Sequence, residues 1–220
     1  MTNYLFDVDG TLTYARQPIA SDFRDFFTDW IGTQRGLGNN IFLVTGSDKE
    51  KTIEQIGIPL WRYVDGSFQN CGNQYYEKGK LRWESAWQMP AALHLDICNL
   101  VEASSWYGTA DVNIEERVGM INISTVGRGA NLKQRREYFV WDQVNKERER
   151  IISELRCKHK DLDFSIGGEI SIDIYPKGAD KSQVLANILG ETVFFGDSCE
   201  QGGNDYAIAH SSDRFYSVKN

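Results

Sequence analysis

Residues 4–13 read YLFDVDGTLT: a short apolar run that ends in two aspartates one residue apart, followed at once by Gly-Thr. A strand end does not need two like charges for folding. At alternate positions of an extended chain, Asp7 and Asp9 point to the same side. Two carboxylates in one small volume are the arrangement expected where a metal, a proton or a phosphoryl group sits between them. An ordinary strand followed by an Asp-Gly turn has the same ten residues, so the rest of the chain decides.

Working outward, apolar strands alternate with amphipathic helices. NYLFDV (3–8) reads as a buried strand, and SDFRDFFTDWI (21–31) as a helix with Ser21 as N-cap. NNIFLVTGS (39–47) is a second apolar strand, and DKEKTIEQIG (48–57) a helix begun by Asp48 and stopped by Gly57. The same texture returns late, with KSQVLANILG (181–190) as a helix and TVFFGDS (192–198) as a strand. This pattern predicts a parallel α/β sheet. Between the halves, WYGTADVNI, GMINISTV, DFSIGGE and ISIDIYP alternate as short antiparallel segments. They surround a charged helical stretch at residues 132–159, which is expected to break near Asp142. The reading is an α/β core, residues 1–79 and 178–220, with an α+β domain at 80–177 inserted into it.

Composition sets limits. The chain has 220 residues, 41% of them hydrophobic, which suffices for real cores. No apolar run is long enough to span a bilayer. The four cysteines form no CxxC pair and imply neither a zinc site nor a disulfide framework. The chain enters a strand within a few residues of Met1, so no secretory signal is read, and the cytoplasm is the expected setting. A net charge of −7 argues against nucleic acid as a partner and requires a local basic cluster for any anionic substrate.

FFGDSCEQGGND (194–205) puts Asp197 at the end of another buried strand. The carboxyl ends of parallel strands share one edge, so Asp7, Asp9 and Asp197 are expected to meet there. Three carboxylates repel unless a cation joins them, and hard oxygen ligands suit Mg²⁺. Thr45 and Ser47 offer a hydroxyl and backbone N–H groups to a phosphate. Lys181, just before a helix, is placed to neutralise the remaining charge.

In this order the motifs resemble the haloacid dehalogenase superfamily of phosphotransferases. FDVDGTLTYARQPI, VTGSDKEKTIEQIG, RVGMINISTVGR, FSIGGEISIDIYPKGADKS and FGDSCEQGGND resemble, more narrowly, the eukaryotic-type phosphomannomutases. The likeness implies a Rossmann-like core with a cap that confers substrate specificity. It implies Asp7 as nucleophile and Asp9 as general acid/base, with Arg16 near the reacting phosphate. It also implies hexose phosphates as substrates, a hexose bisphosphate as intermediate and activator, and allows a homodimer through the cap. A mutase must hold the phosphate that is not reacting. Arg117 and Arg128 flank GMINISTV and fit that role, while Ser171 and Asp173, two apart on one strand face, are placed to read the phosphate and a sugar hydroxyl. The sequence departs from the family where an arginine usually precedes the cap's Gly-Thr; Tyr107 stands there. Three functions follow: interconversion of mannose 1-phosphate and mannose 6-phosphate, hydrolysis of a sugar phosphate on the same scaffold, or catalytically silent binding, against which the intact Asp7, Asp9, Lys181 and Asp197 argue.

Overall fold

The computed structural model describes residues 1–107 and 113–219. The chain divides into two units: Met1–Ser85 with Ala179–Asn220, and Ala86–Gly178. No helix among the described residues is long and apolar enough to cross a membrane.

The first unit is built on β1 (Thr2–Phe6), α1 (Ser21–Gly36), β2 (Asn40–Val44), α2 (Lys49–Ile56), α3 (Ile58–Tyr63) and β3 (Gly66–Gln69). A hairpin follows, β4 (Gln74–Glu77) and β5 (Lys80–Glu84). After the insertion come β10 (Glu191–Gly196), α7 (Tyr206–Ser211) and β11 (Arg214–Ser217). The seven strands run in the order β11-β10-β1-β2-β3-β4-β5. From β11 to β3 they are parallel, and β4 and β5 are antiparallel. β1 lies between β10 and β2, so successive connections leave it in opposite directions; that is where α/β sheets open a crevice.

The period of two in β1 serves both faces. Tyr4 and Phe6 pack with Phe27 and Trp30 of α1, whereas Leu5 joins Val44, Phe68 and Phe194 on the other side. Each such side chain contributes roughly 1.5–3 kcal/mol on burial. α2 starts where the sequence places it, with the Asp48 side chain accepting from Lys51 N (2.8 Å), and stops at Gly57 with φ +81°. α1 includes Ser21, and its cap is Ala20 instead.

Two further expectations change. Residues 80–84 were assigned to the insertion, but β5 is the edge strand of the core sheet, returned through Lys78-Gly79, both at positive φ. Lys181–Asn187 is a 3₁₀ helix and not an α-helix, with Ile188 N bonding Leu185 O at 3.2 Å. Seven residues is long for a 3₁₀ helix, which commonly runs about three or four, and it ends where the chain turns extended at Ile188.

The second unit carries α4 (Ala91–Glu102), β6 (Ile114–Arg117), β7 (Met120–Ile123), α5 (Leu132–Asn145), α6 (Glu147–Lys158), β8 (Leu162–Gly167) and β9 (Ser171–Pro176). Its antiparallel sheet has the order β6-β7-β9-β8. Ile121, Ile123, Ile172 and Ile174 turn one face onto Leu93 and Ile97 of α4 and Ile151 and Leu155 of α6. The opposite face is polar, with Glu115 paired to Asn122, Asn122 to Asp173, and Asp173 to Ser165 across neighbouring strands. The helix break falls at Lys146 (φ +54°), and Asp142 still serves the next helix, accepting from Arg148 N at 3.0 Å. Of WYGTADVNI, residues 108–112 lie outside the described residues.

Candidate active site

β1 delivers Asp7 to the carboxyl edge of the sheet, where it is buried and its N–H donates to Phe195 O of β10 (2.9 Å). Lys181, the first residue of the 3₁₀ helix, is also buried and donates to Asp7 Oδ1 (2.7 Å) and Asp205 Oδ1 (2.6 Å). Burial opposes the lysine's charge, but the Asp205 and Asp7 carboxylates outweigh it and raise its pKa well above the ordinary value. Asp7, Asp197 and Asp205 each offer a carboxylate oxygen, all within 4.8 Å of one another. Burial raises the Asp7 pKa, and the Asp205 and Asp197 charges raise it further against Lys181; Asp197 is raised by burial and by Asp205. Three carboxylates against one ammonium leave negative charge in excess. This oxygen donor set fits a hard divalent cation.

Two glycines make the crowding possible. Gly10 has φ +88°, and a Cβ there would stand 2.4 Å from Asp197 Oδ2; one on Gly196 would stand 2.5 Å from Asp205 Oδ2. The glycine of the opening motif is therefore the surface against which the third aspartate rests.

Asp9 behaves differently from the expectation that it joins the metal ligands. Its carboxylate is not in the acidic group. It accepts from Lys51 Nζ (2.5 Å), Gln55 Nε2 (2.7 Å), Ser47 Oγ (3.2 Å) and the Arg16 main-chain N–H (2.9 Å). Burial would raise its pKa, yet the Lys51 ammonium and these hydrogen bonds hold it down to about 2. Ser47, Lys51 and Gln55 recur every four residues, so the turn into α2 and the helix itself present one polar stripe to Asp9. For Arg16, which sits at φ +61°, it is the backbone that reaches the motif.

In the second unit, Arg117 Nε and Arg128 Nε donate to the two Glu115 oxygens at 2.8 and 2.5 Å. Arg128 Nη1 reaches Ser171 Oγ (2.9 Å), and Asn122 Nδ2 donates to Asp173 Oδ1 (2.6 Å). Arg135 of α5 supports this corner, bonding the carbonyls of Ala130 (2.7 Å) and Arg128 (2.8 Å). Asn122 Oδ1 and Ser165 Oγ are buried without a partner, leaving hydrogen-bonding capacity on the polar face. The structure thus gathers Asp7, Asp197 and Lys181; Asp9 with Ser47 and the Arg16 backbone; and Arg117, Arg128 and Ser171. Asp173 lies on the same sheet face as Ser171.

Asp205, Lys51, Gln55, Glu115 and Asn122 complete these groups; the sequence reading includes Asp205 in its last motif without a role and assigns none to the other four. Two signals point to them: the recurrence of polar residues after Ser47, and the Gly-Gly-Asn-Asp run that ends on Asp205.

A family model described as eukaryotic phosphomannomutase matches residues 35–219. The chain belongs to the eukaryotic phosphomannomutase family. Phosphomannomutase of Arabidopsis thaliana is 36% identical over 221 residues, covering 94% of this chain and 86% of that protein. The phosphomannomutase of Saccharomyces cerevisiae is 35% identical, covering 94% and 84%. Among solved structures, a haloacid dehalogenase superfamily subclass IIB sugar phosphatase superposes with a TM-score of 0.59 at 16% identity, covering 99% of this chain and 94% of that one. The phosphomannomutase family membership and this haloacid dehalogenase fold agree with the α/β core carrying an inserted α+β unit.

Proposed function

We propose that the protein interconverts mannose 1-phosphate and mannose 6-phosphate through an aspartyl-phosphate enzyme and a hexose bisphosphate. The observation that carries this reading is Asp7 buried against Lys181, in a family whose named relatives are phosphomannomutases. In the first half-reaction Asp9 takes the proton of the free hydroxyl of the hexose monophosphate while that oxygen attacks the phosphorus of phospho-Asp7. The bond from phosphorus to the Asp7 oxygen breaks, and a hexose bisphosphate is formed. In the second half, after the bisphosphate has turned round, an Asp7 oxygen attacks the other phosphorus. The bond from that phosphorus to the sugar oxygen breaks, and Asp9 returns the proton to the departing sugar oxygen. Proton transfer of this kind contributes about 10²–10⁴-fold. The low pKa of Asp9 suits it to begin as the base.

Lys181 offsets the repulsion between Asp7 and an incoming phosphate. Asp7, Asp197 and Asp205 are the residues that would hold Mg²⁺, whose charge would stabilise the transferring phosphoryl group. Ser47 meets the phosphate from the other side. The second unit acts as the specificity domain, with Arg117 and Arg128 taking the phosphate that is not reacting and Ser171 and Asp173 reading phosphate and sugar. Activation by a hexose bisphosphate, a homodimer through this unit and a cytoplasmic setting belong to the same reading.

The runner-up is a sugar-phosphate phosphatase, in which water discharges phospho-Asp7. Tyr107 favours it: the residue is 92% exposed and stands where the family resemblance implies an arginine. The deciding assay follows isomer formation and phosphate release from mannose 1-phosphate, with and without hexose bisphosphate. Isomer in excess of phosphate supports the mutase; phosphate alone supports the phosphatase.

A further inference from the structure

Glu115 lies in the fork of two guanidinium groups, one carboxylate oxygen to each arginine. Burial opposes its ionisation, but the hydrogen bond and charge of Arg117, with the charge of Arg128, keep it below the usual glutamate range. Its neighbour across the sheet, Asn122, is engaged with Asp173 instead. One carboxylate, that of Glu115, therefore stands between two guanidinium groups on this face. A carboxylate and a phosphate offer a guanidinium the same kind of oxygen edge, and both are bound by the same charge-assisted bonds. One nitrogen, Nε, of each arginine that the proposed function assigns to a phosphate is thus already engaged by an anion of the chain itself.

We propose that Glu115 is a specificity-determining residue: its carboxylate fills the anion position between Arg117 and Arg128 and must leave it when the second phosphate of a hexose bisphosphate arrives. The exchange replaces one charge-assisted pair with another, so the net hold on the bisphosphate is weaker than two unengaged arginines would give. Glu115 then sets how readily the intermediate is released. This rests on the assignment of the two arginines to the second phosphate. A carboxylate that only held the arginines in place would act in the opposite direction, because removing it would cost order and loosen binding.

The experiment measures binding of a hexose 1,6-bisphosphate by calorimetry in an Asp7→Asn background, which blocks turnover. Glu115→Gln, nearly isosteric, and Glu115→Ala are compared with Glu115, and melting curves establish that each is folded. Affinity about three- to tenfold tighter in either variant is the expected result. Unchanged or weaker affinity in both overturns the proposal. Arg128→Ala in the same background separates the two levels. If it leaves affinity unchanged, the arginine assignment itself falls, and with it the premise. If it weakens binding while neither Glu115 variant tightens it, the proposal about Glu115 alone falls.

Discussion

The Lys51 ammonium stands 2.5 Å from Asp9 Oδ2, joining residues 42 positions apart. The pair fixes a sign for the pH dependence of stability. The Asp9 carboxyl is depressed from 3.8 to about 2 in the folded protein. Its contribution is therefore present above the unfolded value and is lost as pH falls through about 2, on the order of 2 kcal/mol in all. In metal-free buffer, denaturant unfolding between pH 5 and pH 2 should show this loss, and Lys51→Met should largely abolish it. Equal losses in both proteins would refute the pairing.

Asp7→Asn should eliminate turnover yet leave the fold intact, because Lys181 retains Asp205. Asp205→Asn should keep some turnover and raise the Mg²⁺ concentration required for it. Lys181→Met is the contrasting case. It strands two buried carboxylates and should cost about 3–5 kcal/mol of stability. Chemical unfolding and a Mg²⁺ titration of activity distinguish the three. Robust turnover by Asp7→Asn would end its assignment as nucleophile.

Gly10→Ala tests the close approach to Asp197. A side chain there meets both a positive φ and a carboxylate at 2.4 Å. Backbone strain of this kind costs about 1–3 kcal/mol. Activity should fall more steeply than stability, with a raised Mg²⁺ requirement. A variant with wild-type Mg²⁺ dependence would show that Asp197 does not need that surface.

Arg117→Ala and Arg128→Ala should damage isomerisation while hydrolysis of a small activated phosphate continues, since only a hexose bisphosphate presents a second dianion. Parallel rates for the two reactions, measured in folded variants, would be the contrary result if both fell equally.

Tyr107→Arg addresses the partition of products. A tyrosine hydroxyl supplies one neutral hydrogen bond, about 0.5–1.5 kcal/mol, where a guanidinium can supply about 1.5–3 kcal/mol. The substitution should raise the ratio of isomer formed to phosphate released. An unchanged ratio would leave the tyrosine without a part in retention; the segment after it falls at residues 108–112, outside those described.

Much of the framework is legible in the sequence because it depends on short-range periodicity. β1, β2 and β10 declare themselves by apolar runs, and α2 by Asp48 and Gly57 at its ends. β5 does not, because all five of its residues are exposed and only pairing with β4 reveals it. In the site, Asp7 and Lys181 were readable from motif order. The direction of the Asp9 carboxylate was not, since it is set by Lys51 and Gln55 arriving from α2. Glu115 was equally hidden. Its sequence neighbours suggest a solvated strand, and only the return of Arg128 beside β6 gives it two partners.

The alternation in the second unit's sheet separates two kinds of mutational freedom. Isoleucines at 121, 123, 172 and 174 hold the helices, while Glu115, Asn122, Ser171 and Asp173 occupy the intervening positions. Under the proposed function, a substitution at an intervening position would change the recognition chemistry without opening a cavity among the isoleucines. On that reading, the polar face of the sheet is free to vary while the isoleucine face keeps the same apolar support.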